Sequence, residues 1–310
     1  MSLILIISNI LLITNLISLP ITQNFYFETN NPDAEEIFFN IQSEKNSTPN
    51  FPLKNPSDSL GVKVSAQSVL VKDFNTDKIL WSKNKDEIRS IASISKLMTA
   101  MVMLDLEEIE LDKEIKIEKN DLNGDFNKLK IYNWETIKFI DLLRVSLITS
   151  SNTGIKILTK NTGLSEEEFV KKMNQKAKYL NLENTKFTDP TGLNKDNVST
   201  AQELIKMTKK AFSYPEIEQA TSQKNYSFQT INSQRWINVE NTNDLIGGYL
   251  NIEAGKTGYT EEAGYCLISK ISYQEQGPIL IVVLGSESHY QRFSDLKSVS
   301  TWIFNNYTWK

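Results

Sequence analysis

Residues 91–104 read Ile91-Ala92-Ser93-Ile94-Ser95-Lys96-Leu97-Met98-Thr99-Ala100-Met101-Val102-Met103-Leu104. Ile94, Leu97, Met98, Met101 and Leu104 recur at offsets of three and four, so the stretch predicts a helix over 93–106 with one buried face. Ser93 opens that pattern and Lys96 follows three residues later. Positions three apart share a helix face, which brings a hydroxyl and an amine within hydrogen-bonding reach. The pair reads as a serine nucleophile with a lysine base. Outward from it, strand patterns at 64–73 and 79–83 come first and others at 264–271 and 279–285 come last, with Asn75-Thr76-Asp77-Lys78 as a hairpin turn between the first two. Helices are expected near 93–106, 135–149, 152–161, 165–179, 199–213 and 291–305. Strands drawn from both chain ends around a helical insert predict an antiparallel sheet covered by helices.

Spacing alone does not single out Ser93. With 29 Ser and 30 Lys in 310 residues, chance supplies about three Ser-x-x-Lys matches. The chain has three: Ser82/Lys85, Ser93/Lys96 and Ser294/Lys297. Ser82 ends the strand-like Ile79-Leu80-Trp81 inside a solvated turn, and Ser294 falls near a late helix with no partner motif. Only Ser93 begins a strongly amphipathic helix.

Two further elements accompany it. Ser150-Ser151-Asn152 follows the apolar run 139–148. One reading is an ordinary helix boundary, where Ser and Asn satisfy free backbone N–H groups. The other puts the Ser150 hydroxyl and the Asn152 amide on a short connection between buried helices, facing the nucleophile. Downstream, Lys256-Thr257-Gly258 reads either as a turn made from Gly and Lys or as part of a strand just before the pattern at 264–271. Glycines at 255 and 258 let an extended peptide approach the backbone closely.

Taken together these motifs resemble the serine D-Ala-D-Ala peptidases, the low-molecular-mass penicillin-binding proteins, within the wider group that includes class A β-lactamases. The resemblance rests on the order and the surroundings of the motifs. Ile91 to Ala100 is close to the family's nucleophile block. Phe187-Thr188-Asp189-Pro190-Thr191-Gly192-Leu193 with Ser199 to Leu204 resembles its middle block. Asn241-Thr242-Asn243, Gly255 to Thr260 and Ala263-Gly264-Tyr265 resemble its last, and Val283 to Ser286 with Arg292, Phe293 and Asp295 continues the pattern. The family more often has Gly where Ser151 stands and Asp where Thr153 stands. Many members carry a further β-rich domain and an amphipathic tail, and neither is expected before Lys310.

The resemblance implies an α/β (α+β) fold: a five-stranded antiparallel sheet flanked by helices with a helical insert, the active site lying between sheet edge and insert. It implies that Ser93 is acylated by the penultimate D-Ala carbonyl of a peptidoglycan stem peptide, and that neutral Lys96 takes its proton. A solvated lysine is a poor base, so burial and a second cation, Lys256, must lower its pKa. Ser150 relays a proton to the leaving amine, and Asn152 holds the substrate amide or Lys96. Lys256 and Thr257 bind the terminal carboxylate, with Arg292 a further candidate. The oxyanion hole comes from the backbone N–H groups of Ser93 and Tyr259, beside Gly258. The activity so implied is a serine D-alanyl-D-alanine carboxypeptidase that β-lactams inhibit covalently. The alternatives are an endopeptidase cutting cross-links and an inactive wall-binding sensor. A β-lactamase fits less well, because Phe187 to Asn194 occupies the region where a deacylating Glu-x-x-Leu-Asn element belongs.

Elimination supports the same chemistry. A Ser-His-Asp triad has one histidine to draw on, His289, in a polar, loop-like setting. Cys266 sits in an apolar strand and reads as a core residue. No metal-ligand spacing, phosphate loop or dinucleotide fingerprint is present, so no cofactor is expected. Ser165-Glu166-Glu167-Glu168 reads as a capping box.

Residues 1–22 hold Leu3-Ile4-Leu5-Ile6-Ile7, Ile10 to Ile13 and Leu16-Ile17. That length spans a bilayer, and an uncleaved N-terminal anchor is favoured over a secretory signal, since no Lys or Arg precedes the run. Residues 23–61 read as a linker, and 62–310 as the catalytic domain. The first 60 residues carry six acidic and two basic side chains, leaving 32 of each in the remainder. Such a balance offers no basic field for nucleic acid. A single cysteine rules out an internal disulfide, so an exported domain must be held together by its core.

Overall fold

The computed structural model describes residues 51–56, 59, 61–119 and 129–310. These fall in one compact unit that begins at Ser47. The expected anchor at 1–22 and most of the linker lie outside the described residues.

In chain order the elements are β1 (Pro52–Lys54), β2 (Ser68–Asp73), β3 (Ile79–Lys83), β4 (Arg89–Ser90), a single 3-10 turn Ala92–Ile94, α1 (Ser95–Leu104), β5 (Glu114–Lys116) and β6 (Thr136–Lys138). There follow α2 (Phe139–Ile148), α3 (Asn152–Lys160), α4 (Glu166–Tyr179), β7 (Val198–Ser199), α5 (Ala201–Ala211), α6 (Pro215–Ser222), β8 (Asn225–Gln229) and β9 (Trp236–Glu240). The chain closes with β10 (Asn251–Thr260), β11 (Gly264–Tyr273), β12 (Gln276–Ser286), α7 (His289–Asn306) and β13 (Tyr307–Trp309).

The central sheet has five antiparallel strands in the order β10-β11-β12-β2-β3. Strand pairs from the two chain ends meet where β12 pairs β2, Ile281 opposite Val71. Side chains of a strand alternate between faces, and on β12 the alternation divides the core. Leu280, Val282 and Leu284 pack with the helical insert, while Ile279, Ile281 and Val283 pack with Leu296, Val299 and Ile303 of α7. Both faces are therefore covered, which is why the strand reads as an unbroken apolar run. The edge strand β10 is left facing the insert, and it carries Lys256-Thr257-Gly258.

Local sequence explains most boundaries. Ser165 caps α4, and the Glu168 side chain reaches back to the Ser165 backbone N–H, so the acidic run is the capping box expected. Thr200 caps α5 through the Glu203 backbone N–H. Pro215 at its first turn starts α6, a helix the apolar periodicity did not reveal.

Three expectations need correction. The helix expected from residue 93 begins at Ser95, because Ala92 takes φ +47° and Ser93 sits in the 3-10 turn that follows. The helix expected from 135 begins at Phe139; Thr136 to Lys138 instead pair with Glu114 to Lys116. The linker expected to run to residue 61 ends earlier, since β1 pairs β13 and Trp302 Nε1 donates to Ser59 Oγ at 2.6 Å.

Candidate active site

Ser93 stands on a turn built to present it. The left-handed φ of Ala92 is one that residues with a Cβ rarely adopt, and such strain persists only where the surroundings enforce it. Here they do. Ile91 N–H donates to Asn197 O at 3.0 Å, Ser95 Oγ donates to Ala92 O at 2.8 Å, and Asn197 Nδ2 donates to Ser95 Oγ at 3.0 Å. Two glycines press on the turn from either side. A Cβ on Gly192 would lie 2.0 Å from Ala92 O and 3.0 Å from Ser93 N, and one on Gly258 would lie 3.2 Å from Ser93 N. The nucleophile's amide is thus wedged between the loop after α4 and the edge strand β10.

Lys96, one residue into α1, is fully buried. Its ammonium group reaches three oxygens: Ser93 Oγ at 2.7 Å, Asn152 Oδ1 at 2.7 Å and Thr191 O at 2.6 Å. In the neutral amine the same three contacts persist with roles exchanged. Two N–H bonds serve Asn152 and Thr191, and the lone pair accepts the Ser93 hydroxyl. The loop that supplies Thr191 is wound around Asp189, whose carboxylate accepts from the backbone N–H groups of Thr191, Gly192 and Asn194. Burial would raise the pKa of Asp189, but those hydrogen bonds outweigh it and hold the carboxyl below its ordinary value.

The Ser150-Ser151-Asn152 turn serves both of its readings. Ser151 caps α3, accepting from Gly154 N–H at 3.0 Å. Ser150, at φ +58°, and Asn152 on either side of it face the two lysines. Serine at 151 therefore secures the start of α3 itself. Gly154 lies close to Ser146, whose Oγ would be 2.1 Å from a Cβ there and would have to turn away.

Lys256 on β10 is 1% exposed and donates to Ser150 Oγ at 2.8 Å and to its neighbour's carbonyl, Thr257 O, at 3.0 Å. Its pKa is pushed well below the usual lysine range, first by burial, then by repulsion from Lys96 and Arg292. Lys256 is thus the second cation expected near Lys96, and the repulsion from Lys96 bears on it. Thr257 Oγ1 shares a hydrogen bond with Thr242 Oγ1 at 2.6 Å, which ties the strand to the segment after β9.

Arg292 differs from its expected position as a carboxylate ligand. It is 4% exposed, donates through Nη1 to Gly258 O at 3.3 Å, and lies against the rings of Phe293 and Tyr265. It supports β10 from α7. Tyr259 is half exposed beside Gly258, its ring stacked on Tyr265 with centroids 4.2 Å apart. Thr191, Gly192, Asn197 and Thr242 were not picked out as site residues. Thr191 acts through its carbonyl and Gly192 by what it lacks, neither of which composition or spacing reports.

The rejected candidates lie elsewhere in chemistry. Ser82 is on β3, Ser294 on the outer side of α7, and His289 packs edge-on against Tyr265, Tyr290 and Phe293. Cys266 is buried, and burial pushes its thiol up to about 11, unsuited to nucleophilic work.

Comparison with known proteins gives the same answer. The chain matches the D-alanyl-D-alanine carboxypeptidase family, Peptidase S11, over residues 53–288. It is 36% identical to a D-alanyl-D-alanine endopeptidase of Pseudomonas aeruginosa over 77% of each chain, and 34% identical to one of Escherichia coli over the same shares. It is 30% identical to the D-alanyl-D-alanine carboxypeptidase DacF of Bacillus subtilis, over 78% of this chain and 63% of that one. Among solved structures, the Streptomyces K15 DD-transpeptidase superposes with a TM-score of 0.71 at 25% identity, covering 80% of this chain and all of that one. Penicillin-binding protein D2 of Listeria monocytogenes, in a cefotaxime-bound form, gives 0.67 at 28%, covering 81% of this chain and all of that one. With its motifs in order and its two serine–lysine pairs assembled on this fold, the chain belongs to the serine D-alanyl-D-alanine carboxypeptidase family, Peptidase S11.

Proposed function

We propose that the protein is a D-alanyl-D-alanine carboxypeptidase that hydrolyses peptidoglycan stem peptides through an acyl-enzyme on Ser93. The observation that carries this reading is the 2.7 Å contact from Lys96 Nζ to Ser93 Oγ, beside the 2.8 Å contact from Lys256 Nζ to Ser150 Oγ. Ser93 Oγ attacks the penultimate D-Ala carbonyl and passes its proton to neutral Lys96. Charge gathering on the carbonyl oxygen is met by the N–H groups of Ser93 and Tyr259. The C–N bond breaks as Ser150 hands its proton to the departing amine of D-Ala and takes back the one held by Lys96, which leaves Lys96 neutral again. Water then adds to the ester as its proton passes to Lys96, and that proton returns to Ser93 Oγ as the ester bond breaks.

Lys256 and Thr257 hold the terminal carboxylate. An anion arriving there meets the Lys256 ammonium and offsets the repulsion that Lys96 and Arg292 exert on it. Asn152 fixes Lys96 and accepts the substrate amide. Arg292 acts through Gly258, holding the strand along which the peptide lies. β-Lactams enter as carbonyl compounds of the same shape and remain as Ser93 esters.

A second reading has specific support, because relatives at 36% and 34% identity carry the name endopeptidase. The chemistry is shared; the leaving amine then belongs to a cross-linked peptide. The protein works outside the cytoplasm, tethered to the membrane by residues 1–22. The purified chain is to be given a sugar-free pentapeptide and, separately, a cross-linked dimer. Release of D-Ala from the first supports the carboxypeptidase, cleavage of the second alone supports the endopeptidase, and turnover of neither with intact penicillin labelling would leave only the sensor.

A further inference from the structure

A pair of exposed aromatic rings lies on the segment just before β6, outside the machinery described above. Tyr132 and Trp134 are 44% and 50% exposed, with ring centroids 6.2 Å apart and planes within 13° of parallel. They are clamped in place. Glu135, next after Trp134, is fully buried, accepts from Tyr132 N–H at 2.8 Å and accepts from both Nε and Nη2 of Arg235 at 2.9 Å. The same guanidinium lies over the Tyr132 ring, 4.5 Å from its centroid. Asn232 locks the two loops together, accepting from Thr136 N–H at 2.9 Å and donating to Trp134 O at 2.6 Å, and Ile231 N–H donates to Thr136 O at 2.8 Å. Burying the Glu135 carboxylate beneath a partly exposed guanidinium is a costly way to hold a surface loop, and what it holds here is two rings facing solvent.

Rigid, exposed aromatic faces with a guanidinium and amides at the rim suit a ligand that is apolar on its flat face and polar at its edge. A pyranose is such a ligand. The position fits as well. From β6 the chain enters α2, whose ten residues span about 15 Å and end at the Ser150 turn. On the other loop, β9 leads from Arg235 to Thr242, which holds Thr257. Four extended peptide residues span about 14 Å, and four residues separate the sugar from the scissile bond of a stem pentapeptide.

We propose that Tyr132 and Trp134 form a glycan subsite that binds the amino-sugar backbone of the substrate polymer while its stem peptide reaches Ser93. This rests on the reading of the substrate as peptidoglycan. The test uses the full chain and Trp134→Ala, with Trp134→Phe to restore an aromatic face. One arm measures co-sedimentation with glycan strands freed of their peptides. The other compares kcat/KM on a sugar-free pentapeptide with that on the same peptide carried by its disaccharide. Trp134→Ala is expected to weaken strand binding at least about tenfold and to lower kcat/KM on the sugar-bearing peptide alone, while Trp134→Phe recovers most of both. The proposal is overturned if the wild type does not bind the strands, if the Ala variant binds them equally, or if both peptides suffer alike. Should the wild type turn over neither peptide, the peptidase reading fails and strand binding still decides the subsite.

Discussion

Lys256 is held where an ammonium costs most, out of water and within the fields of Lys96 and Arg292. Sites that need a poised charge commonly give up stability for it. Its pKa is lower folded than unfolded, so the folded state takes the proton less readily, and the cost is fully present below the folded value. As pH rises toward the ordinary lysine value of about 10.4 the cost disappears. Lys256→Met is therefore expected to raise the melting temperature at neutral pH by about 2–4 °C while slowing penicillin acylation at least about 100-fold. Melts across a pH series check the sign: the variant's advantage should shrink as pH climbs. A variant less stable than wild type at every pH would mean that the ammonium is well accommodated.

At the scale of elements, the site is a meeting of three segments that each bring backbone as well as side chains. Ser93, Lys96, Ser150, Asn152 and Lys256 were legible because hydroxyl, amine and amide chemistry leaves a residue-type signature. The turn that presents Ser93 was not, since its left-handed Ala92 is imposed by Asn197, Gly192 and Gly258 from distant parts of the chain. The start of α2 was also misplaced, because a tertiary pairing of Thr136 to Lys138 with β5 overrides the helical pattern. The two glycines should separate on substitution. Gly192→Ala adds a Cβ at φ +81° and 2.0 Å from Ala92 O, so a loss of folding or a fall of at least about 5 °C in melting temperature is expected. Gly258→Ala meets its neighbours at 3.1–3.3 Å, so the protein should keep its fold and lose about tenfold in acylation rate as the Ser93 amide shifts. Equal effects of the two on stability would contradict the wedge.

Over the whole molecule, the sheet draws its strands from both chain ends, and β1 extends that closure by pairing with β13. Trp309 Nε1 donates to Asp73 Oδ2 at 2.7 Å, which fastens the last strand to β2. The five-stranded sheet was legible from apolar runs at the ends of the sequence; the small β1–β13 pair was not, because three-residue strands carry no periodicity. A chain beginning at Val62 is expected to melt about 2–5 °C below one beginning at Phe51, with the penicillin acylation rate unchanged. If removal of 51–61 abolished acylation, the boundary of the catalytic unit would lie further toward the N-terminus.

The chemistry as a whole reduces to one covalent bond. The most direct measurement is intact mass spectrometry after exposure to benzylpenicillin, with peptide mapping of the adduct, on wild type, Ser93→Ala and Lys96→Ala. One adduct per chain on the peptide bearing Ser93, none in Ser93→Ala, and formation at least about 1,000-fold slower in Lys96→Ala are expected. An adduct on any other residue, or an undiminished rate without Lys96, would contradict the account.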